Sequence, residues 1–275
     1  MYAHQVIEDL STLKLYPKNE EYERLMAYVA SMIKSEAIVF SLGDMNNGSR
    51  GEMFDPVIGR PLFTGDNSNN MGLPYPVTYI DWAYRSPTSE ATKGGILATQ
   101  CTKKPFIGIQ VFVLTTAWRP NESGLFWEVC PQSLFISNEG LSRTIVPGFK
   151  IDEIGPQFEL TMLDRFLKII NCKNITTVDN PPPEKLNKKR AKKGKCPLFT
   201  YKTLVIKPTG KKQSSQEAQG LWENRVHLCR GHFKNYTEDN PLFGKYTGRY
   251  WWQPSVRGNK KKGVVMKDYR VETGD

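Results

Sequence analysis

Tyr22, Leu25, Met26, Val29, Met32 and Ile33 recur at three- and four-residue spacing, the stripe of an amphipathic helix over residues 19–35. A shorter lead-in helix is expected over residues 1–15, stopping before Pro17. The helical period returns over residues 157–172, through Phe158, Met162, Leu163, Phe166, Leu167 and Ile170. Between these helices the pattern is that of strands. Residues 37–42 form a short apolar run, residues 77–82 (VTYIDW) alternate, and residues 107–116 are a β-branched run suited to a central strand. Residues 95–99, 125–129 and 133–136 give shorter strands, the last two as edge candidates. Residues 43–72, with NNGSRG and GDNSNNMG, are too polar for a core and read as a loop or lid. The expected fold is α+β: a mostly antiparallel sheet, a few packing helices and a basic, strand-rich C-terminal part.

A stiff break at DNPPP (residues 179–183) separates two domains, an α+β body over residues 1–178 and a basic module over residues 184–275. In the module, LFTYKTLVI (198–206) alternates as a strand, residues 207–220 form a polar loop, and residues 225–233, 250–252 and 264–271 give three more strands. Charge sharpens this division. The whole chain of 275 residues carries +10, but residues 184–275 hold 22 lysines and arginines against eight acids, whereas residues 1–183 hold 16 against 20. A near-neutral body with a strongly basic end is the pattern of a protein that presents one surface to a polyanion.

Other classes fall away. No run of eighteen apolar residues could span a membrane, and the basic residues fall in loop- and strand-like segments, which disfavours a basic amphipathic helix on a membrane surface. The first residues show neither a basic n-region nor an apolar h-region, so a host-cell cytosolic location is expected. The five cysteines are widely spaced without a CxxC pair, and no HExxH, P-loop or Ser/His/Asp set occurs, so no metal and no cofactor are expected.

Chemistry concentrates in three places. Lys188, Lys189, Arg190, Lys192 and Lys193 crowd into a basic box that leads directly into a strand, an ordered rim suited to RNA phosphates. In RVHLCRGHFKNY (225–236), His227 and His232 stand five apart, which in a regular strand puts them on opposite faces. A bulge at Gly231 would bring His227, Cys229 and His232 to one face beside Arg225, with Arg230 flanking. Such a set grips RNA without breaking it, with Tyr236 or Trp251 supporting a base and Arg257, with Lys245 and Arg249, interleaved with the aromatic group Tyr246, Tyr250, Trp251 and Trp252. The same histidines could serve as base and acid of a metal-free ribonuclease using the RNA 2′-hydroxyl as nucleophile. Trp251 and Trp252 are adjacent, so one faces each way and one belongs to a core. Asp81, an acid within an apolar strand, reads as a satisfied structural group or as a pocket residue.

The strings LNKKRAKKGKCPLFTYKTLVI, RVHLCRGHFKNY, YWWQPSVRG and KDYRV resemble a widespread set of phage and prophage proteins. Those show an NxxRxxxGKxPLxxYxxLxI box, an RxHxxRGHxR segment and a Trp-x-x-Pro-x-x-x-Gly close, and LPYPVTYIDW (73–82) resembles a segment that precedes them. The chain departs from the pattern in LFGKYTGRYWWQP, which lengthens the last segment. The group is similar to phage anti-CRISPR proteins that act on translation of a Cas effector by recognising the emerging polypeptide. The resemblance implies an anti-defence regulator that binds RNA or the translating ribosome and lowers expression of a target. It further implies a pocket for a nascent polypeptide near Tyr79, Asp81 and Trp82. A DNA-binding or virion-associated protein is the third reading.

Overall fold

In the computed structural model, which describes residues 2–12, 18–45, 72–85, 91–102, 107–118, 125–137, 140–150, 156–207, 225–229, 231–252, 255–257 and 259–264, the amphipathic stripe becomes α2 (Glu20–Ser35). Asn19 caps it by accepting the Tyr22 backbone N–H at 3.0 Å, and three glutamates in the first turn complement the helix dipole. Tyr22, Met26, Val29 and Ile33 are buried, together with Val6, Ile7 and Leu10 of α1 (Ala3–Thr12). Each such side chain contributes roughly 1.5–3 kcal/mol by leaving water.

Both helices cover one face of an eight-stranded sheet. Its strands are β1 (Ile38–Asp44), β2 (Val77–Arg85), β3 (Ala91–Cys101), β4 (Gly108–Trp118), β5 (Leu125–Ser137), β6 (Gly140–Ile145), β7 (Ile175–Asn180) and β8 (Tyr201–Ile206), in the spatial order β6-β5-β4-β3-β2-β1-β8-β7. β2 to β6 pair antiparallel in sequence, while β1 is parallel to both β2 and β8. The opposite face carries α3 (Gln157–Ile170), whose Phe166 meets Phe40 edge-on at 5.0 Å and whose Phe158 meets Trp82 at 6.4 Å. The fold is α+β, with a mostly antiparallel sheet.

The structure redraws several expected strands. The two short edge candidates are one strand, β5, and the edge belongs to β6. Pro131 is tolerated within β5 because the β4–β5 register shifts between Phe112 and Leu114, so the missing proline N–H falls where the ladder is irregular. The basic box, expected as an ordered rim leading into a strand, is a helix, α4 (Glu184–Lys192). The expected lid over residues 43–72 lies outside the described residues except at its two ends.

The described residues divide into two compact units, the first within residues 1–171 and 175–205, the second within residues 172–174 and 206–275. The boundary thus follows β8 rather than the proline run, and α4 belongs to the first unit. The second unit holds β9 (Arg225–Cys229), β10 (His232–Tyr236), β11 (Gly248–Trp252), β12 (Ser255–Arg257) and β13 (Asn259–Val264). β10 and β11 form a two-stranded antiparallel sheet, and β12-β9-β13 a separate three-stranded one.

Candidate nucleic-acid interface

Four lysines of α4 lie at the spacing i, i+3, i+4, i+7. Lys185, Lys188, Lys189 and Lys192 therefore share one helical face, and all four are exposed. Lys193 and Lys195 continue the positive charge beyond the C-terminus. No residue of α4 is buried, so hydrophobic packing cannot hold the helix. Polar clamps on the opposite face do so. Asn187 donates to the Leu198 carbonyl at 3.0 Å and accepts the Leu198 N–H at 2.8 Å, as a paired strand would. Arg190 donates through Nε to the Cys196 carbonyl and through Nη2 to Glu8 of α1, each at 2.7 Å. The same Glu8 oxygen accepts the Cys196 N–H at 2.9 Å.

Past the last turn, Gly194 takes φ +64, the Lys195 N–H reaches the Arg190 carbonyl, and the Gly194 N–H reaches that of Ala191. This pair of bonds satisfies the terminal carbonyls and turns the chain back, a geometry that glycine adopts without steric penalty. Asn187, Arg190 and Gly194 of the NxxRxxxG pattern are therefore structural. Arg190, expected on RNA, faces inward with a side chain only 17% exposed, and Lys188, Lys189, Lys192 and Lys193 remain on the surface.

Alternation along β2 separates the three residues expected around a polypeptide pocket. Tyr79 and Asp81 point toward α1, whereas Trp82 points toward α3. Asp81 is fully buried and accepts the Tyr2 backbone N–H at 2.6 Å. Burial raises its carboxyl above the usual range, against the lowering effect of the Tyr2 N–H and the Ser41 hydroxyl. Tyr79 is also fully buried, its hydroxyl without a hydrogen-bond partner and pushed well up by burial. Neither residue lines the cleft beside Trp82. Gly94 and Gly95 make room for these rings, because a Cβ would come within 2.5 Å of the Trp82 indole at Gly94 and within 2.8 Å of the Tyr79 hydroxyl at Gly95. Trp82 does line a cleft of about 350 Å³, together with Tyr84, Phe158 and Glu159, whose carboxyl burial raises.

In the second unit, β9 and β10 replace the single bulged strand expected over residues 225–233. His227 lies on β9, where Arg257 of β12 stands opposite it in the ladder, and His232 opens β10 opposite Trp252. The two histidines thus belong to different sheets, and no bulge joins them into one strand. Arg225 begins β9, and Arg230 lies outside the described residues.

Tyr236 and Trp251, expected as supports for a base, are only 8% and 4% exposed. Tyr236 packs edge-on against Tyr250 at 5.7 Å, and Trp251 lies against Phe233 at 4.7 Å. Asn174 grips the Trp251 backbone from both sides, accepting its N–H at 3.0 Å and donating to its carbonyl at 2.7 Å. Tyr236 belongs to a small core with Leu242 and Tyr250, while Trp251 is buried on the other face of the sheet beside Phe233. A two-stranded ribbon alone is marginal in water and needs such burial.

The exposed cation on this sheet is Lys234, above the Tyr236 ring at 5.0 Å. The aromatics of this sheet that do reach solvent are Phe243 and Tyr246, in the turn between β10 and β11. Pro241 and Gly244, bracketing two apolar residues, were the signal of a tight turn there. No family model, curated protein or solved structure matches this chain.

Proposed function

We propose that the protein binds RNA without cleaving it and lowers expression of a target message, through contact with that message or with the ribosome translating it. The observation that carries this reading is the exposed row of Lys185, Lys188, Lys189 and Lys192, held rigid by Asn187 and Arg190 on the other face of α4. A lysine row on a fixed scaffold meets a phosphate backbone without first ordering a flexible tail, so less entropy opposes binding. The resemblance to phage anti-defence proteins supplies the regulatory role, in a host-cell cytosol. In the same reading, the aromatic cleft beside Trp82 seats part of a nascent polypeptide, and Asp81 and Tyr79 support the sheet beneath α1.

Incubation with RNA and DNA side by side, in chelator, tests this function. The expected result is RNA retained intact, with weaker retention after serine replacement of the four α4 lysines. Single-turnover RNA cleavage that vanishes in both His227→Ala and His232→Ala, with binding preserved, would replace this reading with a metal-free ribonuclease. Preference for DNA would favour the DNA-binding alternative.

A further inference from the structure

Phe243 is the most exposed large hydrophobic residue among those described, at 67%, and Tyr246, three residues on, is 50% exposed. They sit on one tight turn whose ends are locked by reciprocal bonds: the Leu242 N–H meets the Tyr246 carbonyl at 2.7 Å, and the Tyr246 N–H meets that of Leu242 at 3.0 Å. Bonds from the Gly244 N–H to the Pro241 carbonyl and from the Lys245 N–H to the Leu242 carbonyl close it further. Leu242 is buried with Tyr236 and Tyr250, so the turn is anchored in the small core while its next residue projects outward.

The backbone makes the exposure more telling. Phe243 has φ +53, the one non-glycine residue in the left-handed region among those described, followed by Gly244 at φ +69. A bulky side chain there is strained and gains no burial in return. Glycine or asparagine would make the same turn with less strain. Two aromatic faces are thus held in water, and the Lys245 ammonium stands 5.5 Å from the Tyr246 ring centre. Flat apolar faces beside a cation fit an unpaired nucleobase and its phosphate, the combination that binds single-stranded nucleic acid without reading sequence.

We infer that the turn at residues 241–246 is a stacking platform for unpaired bases of single-stranded RNA, with Phe243 and Tyr246 as the stacking rings and Lys245 on the adjoining phosphate. The inference rests on the RNA reading above and adds selectivity for single strands over duplex. A polypeptide partner is the competing occupant, and it would leave RNA binding independent of Phe243.

The test measures binding of the full chain to a short oligouridine, to a duplex of the same length, and to a single strand carrying 2-aminopurine, whose fluorescence is quenched on stacking. Phe243→Gly is the decisive variant, because glycine adopts φ +53 freely and the fold keeps its melting temperature or gains. It should bind the single strand between about fivefold and 150-fold more weakly, the range for loss of one base-stacking ring. It should also lose the quench and leave duplex affinity unchanged, while Phe243→Trp retains all three. Single-strand affinity and quench unchanged in Phe243→Gly would overturn the inference. Serine replacement of the α4 lysines separates the two proposals, since it should weaken single strand and duplex alike. If that replacement has no effect while Phe243→Gly abolishes the quench, the platform stands and the lysine face falls.

Discussion

Strand β2 and helix α4 both carry charged groups within the first unit, and the surroundings give those groups opposite work. On β2, Asp81 is closed off from water and holds the backbone at the start of α1. On α4, the four aligned lysines point into solvent, and no described hydrogen bond fixes them. Lys188 only approaches Glu184, at 3.9 Å, a surface contact of little stabilising worth. The border between the two kinds of charge runs through α4 itself. Arg190 and Asn187 resemble Asp81 in being bound to backbone, although they lie within three residues of free lysines. A charged residue committed to backbone partners is part of the scaffold, and one left to water is available to a ligand.

Arg190→Ala should have the largest effect on this contrast. It removes the donor to the Cys196 carbonyl and leaves Glu8 without its guanidinium, at a loss of about 1.5–3 kcal/mol for charged hydrogen bonds of this kind. Arg190→Lys should not restore stability, because one ammonium cannot span both acceptors in the fork geometry. Thermal unfolding checks this, and a melting temperature unchanged in Arg190→Ala would return Arg190 to the group of free cations.

A smaller effect, visible mainly in its pH dependence, is expected at Asp81. Burial raises the Asp81 carboxyl in the fold above its unfolded value, so the wild-type protein loses stability from this group as pH climbs from the unfolded pKa toward the folded one. Asparagine keeps an acceptor for the Tyr2 N–H and does not titrate. The melting temperature of Asp81→Asn relative to wild type should therefore be lowest at acid pH and rise through the carboxylate range. A difference that stays flat, or falls, with rising pH would mean that Asp81 is a well-compensated carboxylate.

The parts of the fold legible in the sequence are those where one periodicity runs unbroken. The stripe from Tyr22 to Ile33 gave α2, and the alternation in VTYIDW gave β2. In the sequence Pro131 splits β5 into two short runs, and only the register shift against β4 shows why the proline is harmless. α4 has no apolar stripe to read, since Asn187 and Arg190 do what hydrophobic contacts do elsewhere, through partners at Leu198, Cys196 and Glu8 that no local pattern reveals. The charge asymmetry did locate the exposed lysines. Composition could not separate the buried rings of Tyr236 and Trp251 from the exposed ones of Phe243 and Tyr246, because that distinction depends on which residues fall on the paired strands and which on the turn between them.

The measurement that bears most directly on the lysine face is the salt dependence of RNA affinity for wild type and for the variant with serine at Lys185, Lys188, Lys189 and Lys192. Each phosphate contact to a single strand contributes about 0.7 to the slope of log K against log salt. The slope should flatten by up to about 3 in the variant. Its melting temperature should stay near that of wild type, because these side chains hold nothing in place. An unchanged slope, with the variant folded, would contradict the account and leave the lysines as a solvated helix face.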